Sequence, residues 1–314
     1  MSEAEITEIP PLTIAEQSIV NGHSLLNIYN VLREELAQLG RELTGDPALL
    51  ATSIAECRRR SERLADAAAA LHDASQTHAM EGIVHQELDL QLRQHMRQAA
   101  GPAATTTRAQ LDSLLWILSI RARELMARSL APARATHMTI ADLELDLQEF
   151  FLTMEQHSRG RYRFVYNLAV QEPKDYYVDL RFEGSRSSVI AMPTLFRDIT
   201  RDLIANARKY TAPGGQLRVA LHSGAAGLRC VVEDNGRGIP AAELTAVVHY
   251  GRRGSNVADI RSYGAGCGLT KAFLVTHQLG GRFWIASELG RGTRVRLWLP
   301  PQQSGVAPIP ALQD

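Results

Sequence analysis

The fold is decided by the stretch from Phe196 to Leu299, which contains RDLIANARKY at 201–210, VEDNGRGIP at 232–240 and YGAGCGLTKA at 263–272. Each of these three segments makes chemical sense by itself. Their order and spacing carry more information than any one of them, and the rest of the chain is interpreted outward from them.

The first segment predicts an amphipathic helix. Its apolar residues recur at steps of three and four along one face: Phe196, Ile199, Leu203 and Ala207. Asp202, Asn206 and Lys209 share the opposite face. A carboxylate, an amide oxygen and an ammonium group in a row can polarise an attacking group, bind Mg²⁺ and neutralise phosphate oxygens. Taken alone, the row is equally compatible with a solvated helix face.

The second segment predicts a strand over 228–232 that ends in the turn Asp234-Asn235-Gly236-Arg237-Gly238. The Asp234 carboxylate can accept a hydrogen bond from an amino group such as adenine N6, and Gly236 and Gly238 allow a flat ring to approach the backbone. By itself the pattern is also typical of an ordinary turn.

The third segment predicts a glycine loop that opens a helix. Gly264, Gly266 and Gly268 alternate with other residues, and the apolar stretch from Leu269 ends at Gly280-Gly281. Free N–H groups at a helix N-terminus bind phosphate. A dinucleotide-binding fold is not indicated, because that fingerprint follows the first strand of a βαβ unit and precedes an acidic residue by about 20 positions.

Together the three segments resemble the N, G1 and G2 boxes of the GHKL ATPase superfamily, which contains histidine kinases, gyrase B, Hsp90, MutL and mitochondrial-type protein kinases. The resemblance is closest to the catalytic domain of bacterial sensor histidine kinases and covers about 138–300. It implies an α/β sandwich that binds ATP and Mg²⁺ under a mobile lid.

The resemblance also implies roles for single residues. Asn206 would bind Mg²⁺, and Lys209 and Tyr210 would flank the phosphates. Asp234 would form the hydrogen bond that recognises adenine. Asp202 stands where relatives carry an acid or amide beside the γ-phosphate. Thr293 matches the threonine of the last box, in the hairpin GRFWIASELGRGTRVRLWLP. The lid would be 241–263, with Arg252, Arg253 and Ser255. The remaining nucleotide contacts would come from the following residues: Gly236, Gly238, Gly264, Gly266, Gly268 and Leu269.

Composition sets mild limits. A chain of 314 residues favours two domains, and a formal net charge of zero gives no electrostatic reason to expect nucleic acid or an anionic membrane as a partner. No apolar run reaches the roughly 18 residues that cross a bilayer, and the acidic N-terminus does not have the pattern of a signal peptide. The three cysteines lack metal-site spacing and fit a reducing compartment, so we expect a cytoplasmic protein.

The N-terminal half predicts helices. We expect 1–11 to be a flexible tail and 12–74 to be a helical hairpin that breaks at Gly45-Asp46-Pro47. Its two apolar seams would pair with those of a second chain in a four-helix bundle. The seams are Leu25, Ile28, Leu32, Leu36, Leu39 and Leu43, followed by Leu50, Ile54, Cys57, Ser61, Leu64, Ala68 and Leu71.

This hairpin resembles the dimerisation and phosphoacceptor hairpin of histidine kinases, with HSLLN at 23–27 in place of H-[DE]-x-x-[NT]. His23 would be the phosphoacceptor, and Asn27 would position water or the partner's aspartyl phosphate. The chain departs from the pattern at Ser24, where the family carries an acid that orients the histidine and acts as general base. Asp202 or Glu34 could replace it. Alternatively, His23 is an ordinary surface histidine.

Residues 75–137 predict an additional helical hairpin, with helices at about 80–99 and from a capping box at Thr107 to about 131. The histidines of this region lack metal-ligand partners in the sequence. The catalytic domain would follow at 138–300, opening with a helix over 139–157 and strands at 161–168 and 176–182. Residues 301–314 would form a second flexible tail. The predicted fold class is therefore α+β, a helical domain followed by a GHKL sandwich.

The sequence thus predicts a two-component histidine kinase that labels His23 from ATP and passes the phosphate to an aspartate of a response-regulator receiver domain. Two alternatives stay open: a GHKL serine kinase of the pyruvate-dehydrogenase-kinase type, with Asp202 as the acid, and an ATP-binding pseudokinase or phosphotransfer hub. The expected partners are a second copy of the chain and a separate sensor protein, without nucleic acid or membrane insertion.

Overall fold

The structure is a computed structural model. It describes residues 1–95, 102–130, 135–156, 158, 160–183, 188–260 and 266–301. Gly264 and all of the predicted tail 301–314 except residue 301 lie outside these ranges. No helix in the described ranges is both long enough and apolar enough to span a bilayer.

The N-terminal half is helical. Its elements in chain order are α1 (Ile14–Asn21), α2 (His23–Thr44), α3 (Ala51–Arg63), α4 (Ala67–Ser75), α5 (Thr77–His95) and α6 (Pro102–Leu130). The helix predicted over 12–43 is interrupted at Gly22, where the chain passes so close to Leu64 that an added Cβ would lie 3.0 Å from Leu64 Cδ2. The bend lets His23 begin a new helix. The last helix begins at Pro102, so the predicted cap at Thr107 is wrong.

The bundle closes within one chain. Helix α2 packs against α3 and α6, and α5 packs against the same two helices. The predicted seam residues Leu25, Leu32, Leu36 and Leu39 are almost completely buried without a second chain. The apolar seam is therefore covered within one chain, and the expected homodimer through the helical domain stays a prediction. The helices α5 and α6 supply the apolar surface that we had assigned to a partner.

The C-terminal half is an α/β sandwich. Its elements are β2 (Ala135–Thr139), α7 (Ile140–Gln156), β3 (Phe164–Val165), β4 (Tyr176–Glu183), β5 (Val189–Pro193), α8 (Thr194–Tyr210), β6 (Gln216–Gly224), β7 (Gly227–Asp234), α9 (Gly268–Gln278), β8 (Arg282–Glu288) and β9 (Gly292–Leu299). This domain begins with β2, which pairs with β5, and therefore slightly before the predicted boundary at 138.

The main sheet has the described strand order β1-β8-β9-β7-β6-β4-β3, where β1 is Ser2–Ile6. Alternate residues of its strands, such as Leu217, Val219 and Leu221 of β6, are buried. They share one core with the apolar faces of α7, α8 and α9. The sheet is mixed, because β3, β4 and β6 run parallel and the other pairs are antiparallel.

The predicted N-terminal tail is part of this sheet, so the prediction of a flexible 1–11 is wrong for its first half. β1 pairs antiparallel with β8, from Ser2 opposite Ser287 to Ile6 opposite Phe283. Ile6 is buried in the core, while Glu5 forms an ion pair with Arg282 at 2.7 Å. The strand covers an edge of the sheet that would otherwise expose unpaired backbone groups.

Candidate active site

A cavity of about 330 Å³ lies between α8, the ends of β7 and β9, and the start of α9. Its lining includes eleven of the residues selected from sequence: His23, Asn27, Asn206, Lys209, Tyr210, Asp234, Gly238, Gly266, Gly268, Leu269 and Thr293. Ligand pockets commonly have volumes of about 300–1,000 Å³. The predicted N, G1 and G2 segments therefore meet at one site, and the first residue of α2 reaches it too.

Helix α8 presents its polar face to the cavity because its apolar face is anchored in the core by Phe196 and Ile199, which are fully buried. Asn206 lies directly against the start of α9: a Cβ on Gly268 would come within 2.8 Å of Asn206 Nδ2. Only glycine therefore leaves room for the amide at this point. The predicted magnesium ligand and the predicted phosphate-binding loop are in contact.

Asp234 ends β7 at the floor of the cavity. Its Oδ1 accepts a hydrogen bond from the Gly236 N–H at 2.8 Å, and burial raises its pKa to about 6. Gly238 has φ of 69°, and a Cβ there would lie 2.0 Å from the Glu288 carbonyl oxygen. The turn is thus packed tightly under a buried carboxyl group whose hydrogen bonds come from neutral groups of Gly236, Thr293 and Thr211, which suits an amino group of a flat heterocycle. Gly236 shapes the turn but does not line the cavity.

Thr293 lies opposite Asp234 on β9. Its Oγ1 is 2.9 Å from Ser287 Oγ, which in turn accepts a hydrogen bond from the Ile239 N–H at 2.8 Å. Sequence reasoning missed Ser287. Through these hydrogen bonds, Ser287 links Thr293 to Ile239, which follows the glycine turn.

Cationic groups surround the side of the cavity where phosphates are expected. Burial, with smaller contributions from Arg253 and Arg208, lowers the pKa of Lys209 to about 8. Arg252 and Arg253 line the same cavity, as the predicted lid requires. Ser255 does not, since its backbone N–H and Oγ both donate to Glu243, at 2.8 Å and 2.6 Å.

The donor set fits ATP with Mg²⁺. The glycine cradle, the buried Asp234 carboxyl, the cations and the N-terminus of α9 match the base and phosphates of a nucleotide. The Asn206 amide supplies a hard oxygen ligand for Mg²⁺. The described residues contain no cluster of three or more acidic, histidine or cysteine side chains that would bind a metal by itself.

Asp202 does not line the cavity. It forms an ion pair with Lys271 Nζ at 2.5 Å, and Lys271, which is only 2% exposed, also donates to Ser24 Oγ at 3.2 Å. Burial raises the Asp202 pKa, but the nearby Lys271 ammonium and His23 outweigh it and hold the pKa below its usual value. The carboxylate that we expected beside the γ-phosphate instead joins α8, α9 and α2.

His23 is 7% exposed, so the interpretation as a surface histidine is wrong. Its Nδ1 lies 3.0 Å from Cys267 Sγ in the glycine loop, and its Nε2 lies 3.2 Å from Asn27 Nδ2 one helical turn along α2. Burial lowers its pKa to about 4, which keeps the imidazole neutral near pH 7. Neither Asp202 nor Glu34 appears among these ring contacts.

Two residues of this site escaped sequence reasoning. From the sequence, Cys267 is predicted only as part of the glycine segment, and Lys271 has no predicted role. The signal for Lys271 was present, because a lysine interrupts the apolar stretch that follows the glycine loop. Its partner could not be inferred, since Ser24 lies 247 residues away in sequence.

Comparison with known proteins agrees with this geometry. Residues 192–303 match the family described as histidine kinase-, DNA gyrase B-, and HSP90-like ATPase. The adaptive-response sensory kinase SasA of Synechococcus elongatus is 32% identical over 118 residues, which cover 37% of this chain and 30% of that protein. SasA of another Synechococcus strain is 27% identical over 271 residues, or 86% of this chain and 63% of the relative.

Among solved structures, the mycobacterial sensor histidine kinase MprB aligns with 53% of this chain and 97% of its own, at 19% identity and a TM-score of 0.37. The chain spans 30% to 63% of the length of the two curated relatives. It carries a histidine kinase-, DNA gyrase B-, and HSP90-like ATPase domain and is related to the bacterial sensor histidine kinases.

Proposed function

We propose that the chain is an ATP-dependent protein histidine kinase that labels its own His23 and passes the phosphoryl group to an aspartate of a response regulator. One observation carries the proposal. His23 lines the same cavity as Asn206, Lys209 and the glycine loop of its own chain, with Nδ1 3.0 Å from Cys267.

The protein's contribution to the reaction is position and charge. The Nε2 lone pair forms a bond to the γ-phosphorus while the bond from that phosphorus to the β–γ bridging oxygen breaks, and the electron pair leaves with ADP. Lys209, Arg252 and Arg253 supply positive charge around the phosphates. Mg²⁺, held by the Asn206 oxygen and phosphate oxygens, would neutralise further charge on the transferred group.

The imidazole is prepared for attack by its surroundings. A neutral ring is required, and the burial that lowers the His23 pKa to about 4 provides one across the physiological range. No proton must leave the ring before attack. This reduces the need for the general base that the family places at the position of Ser24.

Transfer to a response regulator requires a second conformation. His23 and Ser24 are both buried where the helical domain meets α9. An incoming aspartate can reach the phosphorylated ring only after the two domains separate. Asn27, which already contacts Nε2, would then position the receiver's carboxylate or a water molecule.

The single-chain bundle supports labelling in cis, and a homodimer through the helical domain would have to use a surface other than the apolar seam. A mixture of two inactive variants tests this. His23→Gln retains the nucleotide site, and Asn206→Ala retains the phosphoacceptor. Labelling in cis gives no label when the two are mixed, whereas recovered label on the Asn206→Ala chain would show transfer between chains.

The direct test is incubation of the full chain with Mg²⁺ and γ-labelled ATP, with His23→Gln compared against His78→Gln. The side chain of His78 is 94% exposed and serves as the matched control. We expect an acid-labile, alkali-stable label on wild type and His78→Gln that is lost in His23→Gln. Label that survives in His23→Gln would overturn the assignment of the phosphoacceptor.

A second candidate is the GHKL serine kinase of the pyruvate-dehydrogenase-kinase type, in which a helical bundle is also joined to a GHKL domain. The closure of this bundle within one chain favours it. In that case ATP would bind and no label would stay on the chain. Acid-stable label on an added protein substrate would support the serine kinase, and its absence with every substrate would support a nucleotide-binding hub.

A further inference from the structure

The two ring nitrogens of His23 have different partners, and this difference bears on which of them can attack. Asn27 belongs to the same helix and contacts Nε2. Cys267 belongs to the glycine loop of the ATPase domain, 244 residues away in sequence, and contacts Nδ1. The thiol is fully buried.

The contacts favour one tautomer. If the Asn27 amide donates to Nε2, that nitrogen carries no proton and Nδ1 does. The Nδ1–H then points at Cys267 Sγ, a weak acceptor. This is the tautomer in which Nε2 keeps its lone pair, as attack on phosphorus requires.

No carboxylate occupies the position of the thiol. Ser24, which replaces the expected acid, is turned towards Lys271, at 3.2 Å. Asp202 is bound to the same lysine at 2.5 Å. The groups that could have oriented the imidazole are thus engaged with Lys271, and the sulfur is the partner of Nδ1.

We propose that Cys267 is a positioning residue for the phosphoacceptor: its thiol accepts the Nδ1–H of His23 and thereby holds the tautomer whose Nε2 attacks ATP. This inference rests on the proposed function. During the step the N–P bond forms at Nε2 while the bond from the γ-phosphorus to the bridging oxygen breaks towards ADP. The Nδ1 proton stays on the ring, shared with sulfur.

The role has a further consequence. Cys267 lies in the loop that opens α9, between Gly266 and Gly268, both of which line the nucleotide cavity. The element that binds phosphate therefore also orients the nucleophile. The thiol reaches Nδ1 only when the helical domain is docked on the ATPase domain, so both ring nitrogens have their partners only in the conformation in which the nucleotide is within reach.

The test compares Cys267→Ala with Cys267→Ser in the full chain. Alanine removes the acceptor, and we expect the labelling rate at saturating ATP to fall about tenfold, the effect of losing one positioning hydrogen bond, with little change in KM for ATP. Serine supplies a hydroxyl acceptor and should recover most of the rate. Cys230→Ala is the matched control, because Cys230 is an equally buried thiol that contacts Thr200 away from the cavity. Equal losses in the serine and alanine variants would overturn the proposal.

A second measurement does not depend on turnover. Nitrogen NMR of protein labelled at histidine distinguishes Nδ1–H from Nε2–H rings. We expect the Nδ1–H signature for His23, assigned by its loss in His23→Gln, and a shift away from it in Cys267→Ala. An unchanged signature in Cys267→Ala would overturn the role of the thiol even if the kinase assay succeeds. If wild type fails to label itself while the signature shifts as expected, the proposed function fails and the role of Cys267 in setting the tautomer stands.

Discussion

The nucleotide cavity and the surroundings of His23 are built in opposite ways. The cavity is assembled from short segments whose internal contacts are local, such as Asp234 with Gly236, two residues apart. The His23 environment is assembled from pairs that are 244 and 247 residues apart. The first kind of site is encoded in motifs. The second exists only when two domains are docked, so it can be made and broken by a domain movement.

The comparison also separates two kinds of buried charge. Asp234 is buried with neutral partners, and its pKa is raised to about 6. Asp202 is buried beside Lys271, and its pKa is lowered. A buried carboxyl without a charged partner, such as Asp234, can accept a hydrogen bond from a ligand. A buried carboxylate paired with a lysine, such as Asp202, already has its partner within the protein. This supports adenine recognition by Asp234 and a structural role for Asp202, which holds the lysine that contacts Ser24 of the helical domain.

The largest expected effect comes from breaking the buried ion pair between Asp202 of α8 and Lys271 of α9. Lys271→Met leaves the Asp202 carboxylate buried without its cation, which typically costs about 3–5 kcal/mol of unfolding free energy. Denaturant titration measures it. The control is Arg58→Ala, because the Arg58–Glu62 pair is mostly exposed and should contribute only about 0–1 kcal/mol. Similar small losses in both variants would show that the Lys271 pair does not stabilise the docked state. Adding Asp202→Asn to Lys271→Met should recover part of the loss.

The next largest effect is expected from crowding the contact between Gly268 and Asn206 inside the cavity. In Gly268→Ala the new methyl group would displace the Asn206 amide, because an added Cβ lies 2.8 Å from Nδ2. A displacement of about 1 Å at a reacting site can cost roughly a hundredfold in rate, measured as initial labelling. The control is Gly82→Ala in α5, where nothing lies within 4 Å of an added Cβ. That change should leave labelling intact and stabilise the fold by about 0.5–1 kcal/mol. A Gly268→Ala rate near that of wild type would contradict the predicted role of Asn206.

A smaller effect concerns adenine recognition. Asp234→Asn should weaken ATP binding by about 1–3 kcal/mol, the penalty for an unmatched buried group. Wild-type affinity should also fall as the pH drops below about 6, because the carboxyl with its raised pKa takes up a proton and no longer accepts two donors. Calorimetry at several pH values measures both. The Asn variant should show little of this pH dependence, and an equal decline in both proteins would remove Asp234 from the base site.

The last expected effect appears only below neutral pH and is the contribution of His23 to the pH dependence of stability. Its pKa is about 4 in the folded chain and near 6.5 when unfolded, so the unfolded chain binds the extra proton first. The stabilising contribution is complete above about pH 6.5 and is lost as the pH falls towards 4. Unfolding of wild type and His23→Gln across this window measures it. Parallel curves would show that the ring is not buried in solution.

Sequence reasoning succeeded where the determinants are close together along the chain. The amphipathic face of α8, the acidic turn after β7 and the glycine loop before α9 each follow from spacing alone, because side chains within a turn or a helix have few ways to be arranged. Most of the residues chosen in this way line one cavity. It failed for Ser2–Ile6, whose acidic composition concealed an alternating strand that pairs with the other end of the chain.

The sequence by itself determined the α+β class, eleven of the residues that line the cavity and His23 as the histidine to examine. The tertiary structure decided that the bundle closes within one chain, that Lys271 takes Asp202 and Ser24 as partners, and that a thiol faces the imidazole. The physical reason is the separation in sequence between the residues that interact. Apolar periodicity specifies which face of a helix is buried but not which surface buries it, and a polar pair is formed by two residues only where folding brings them together.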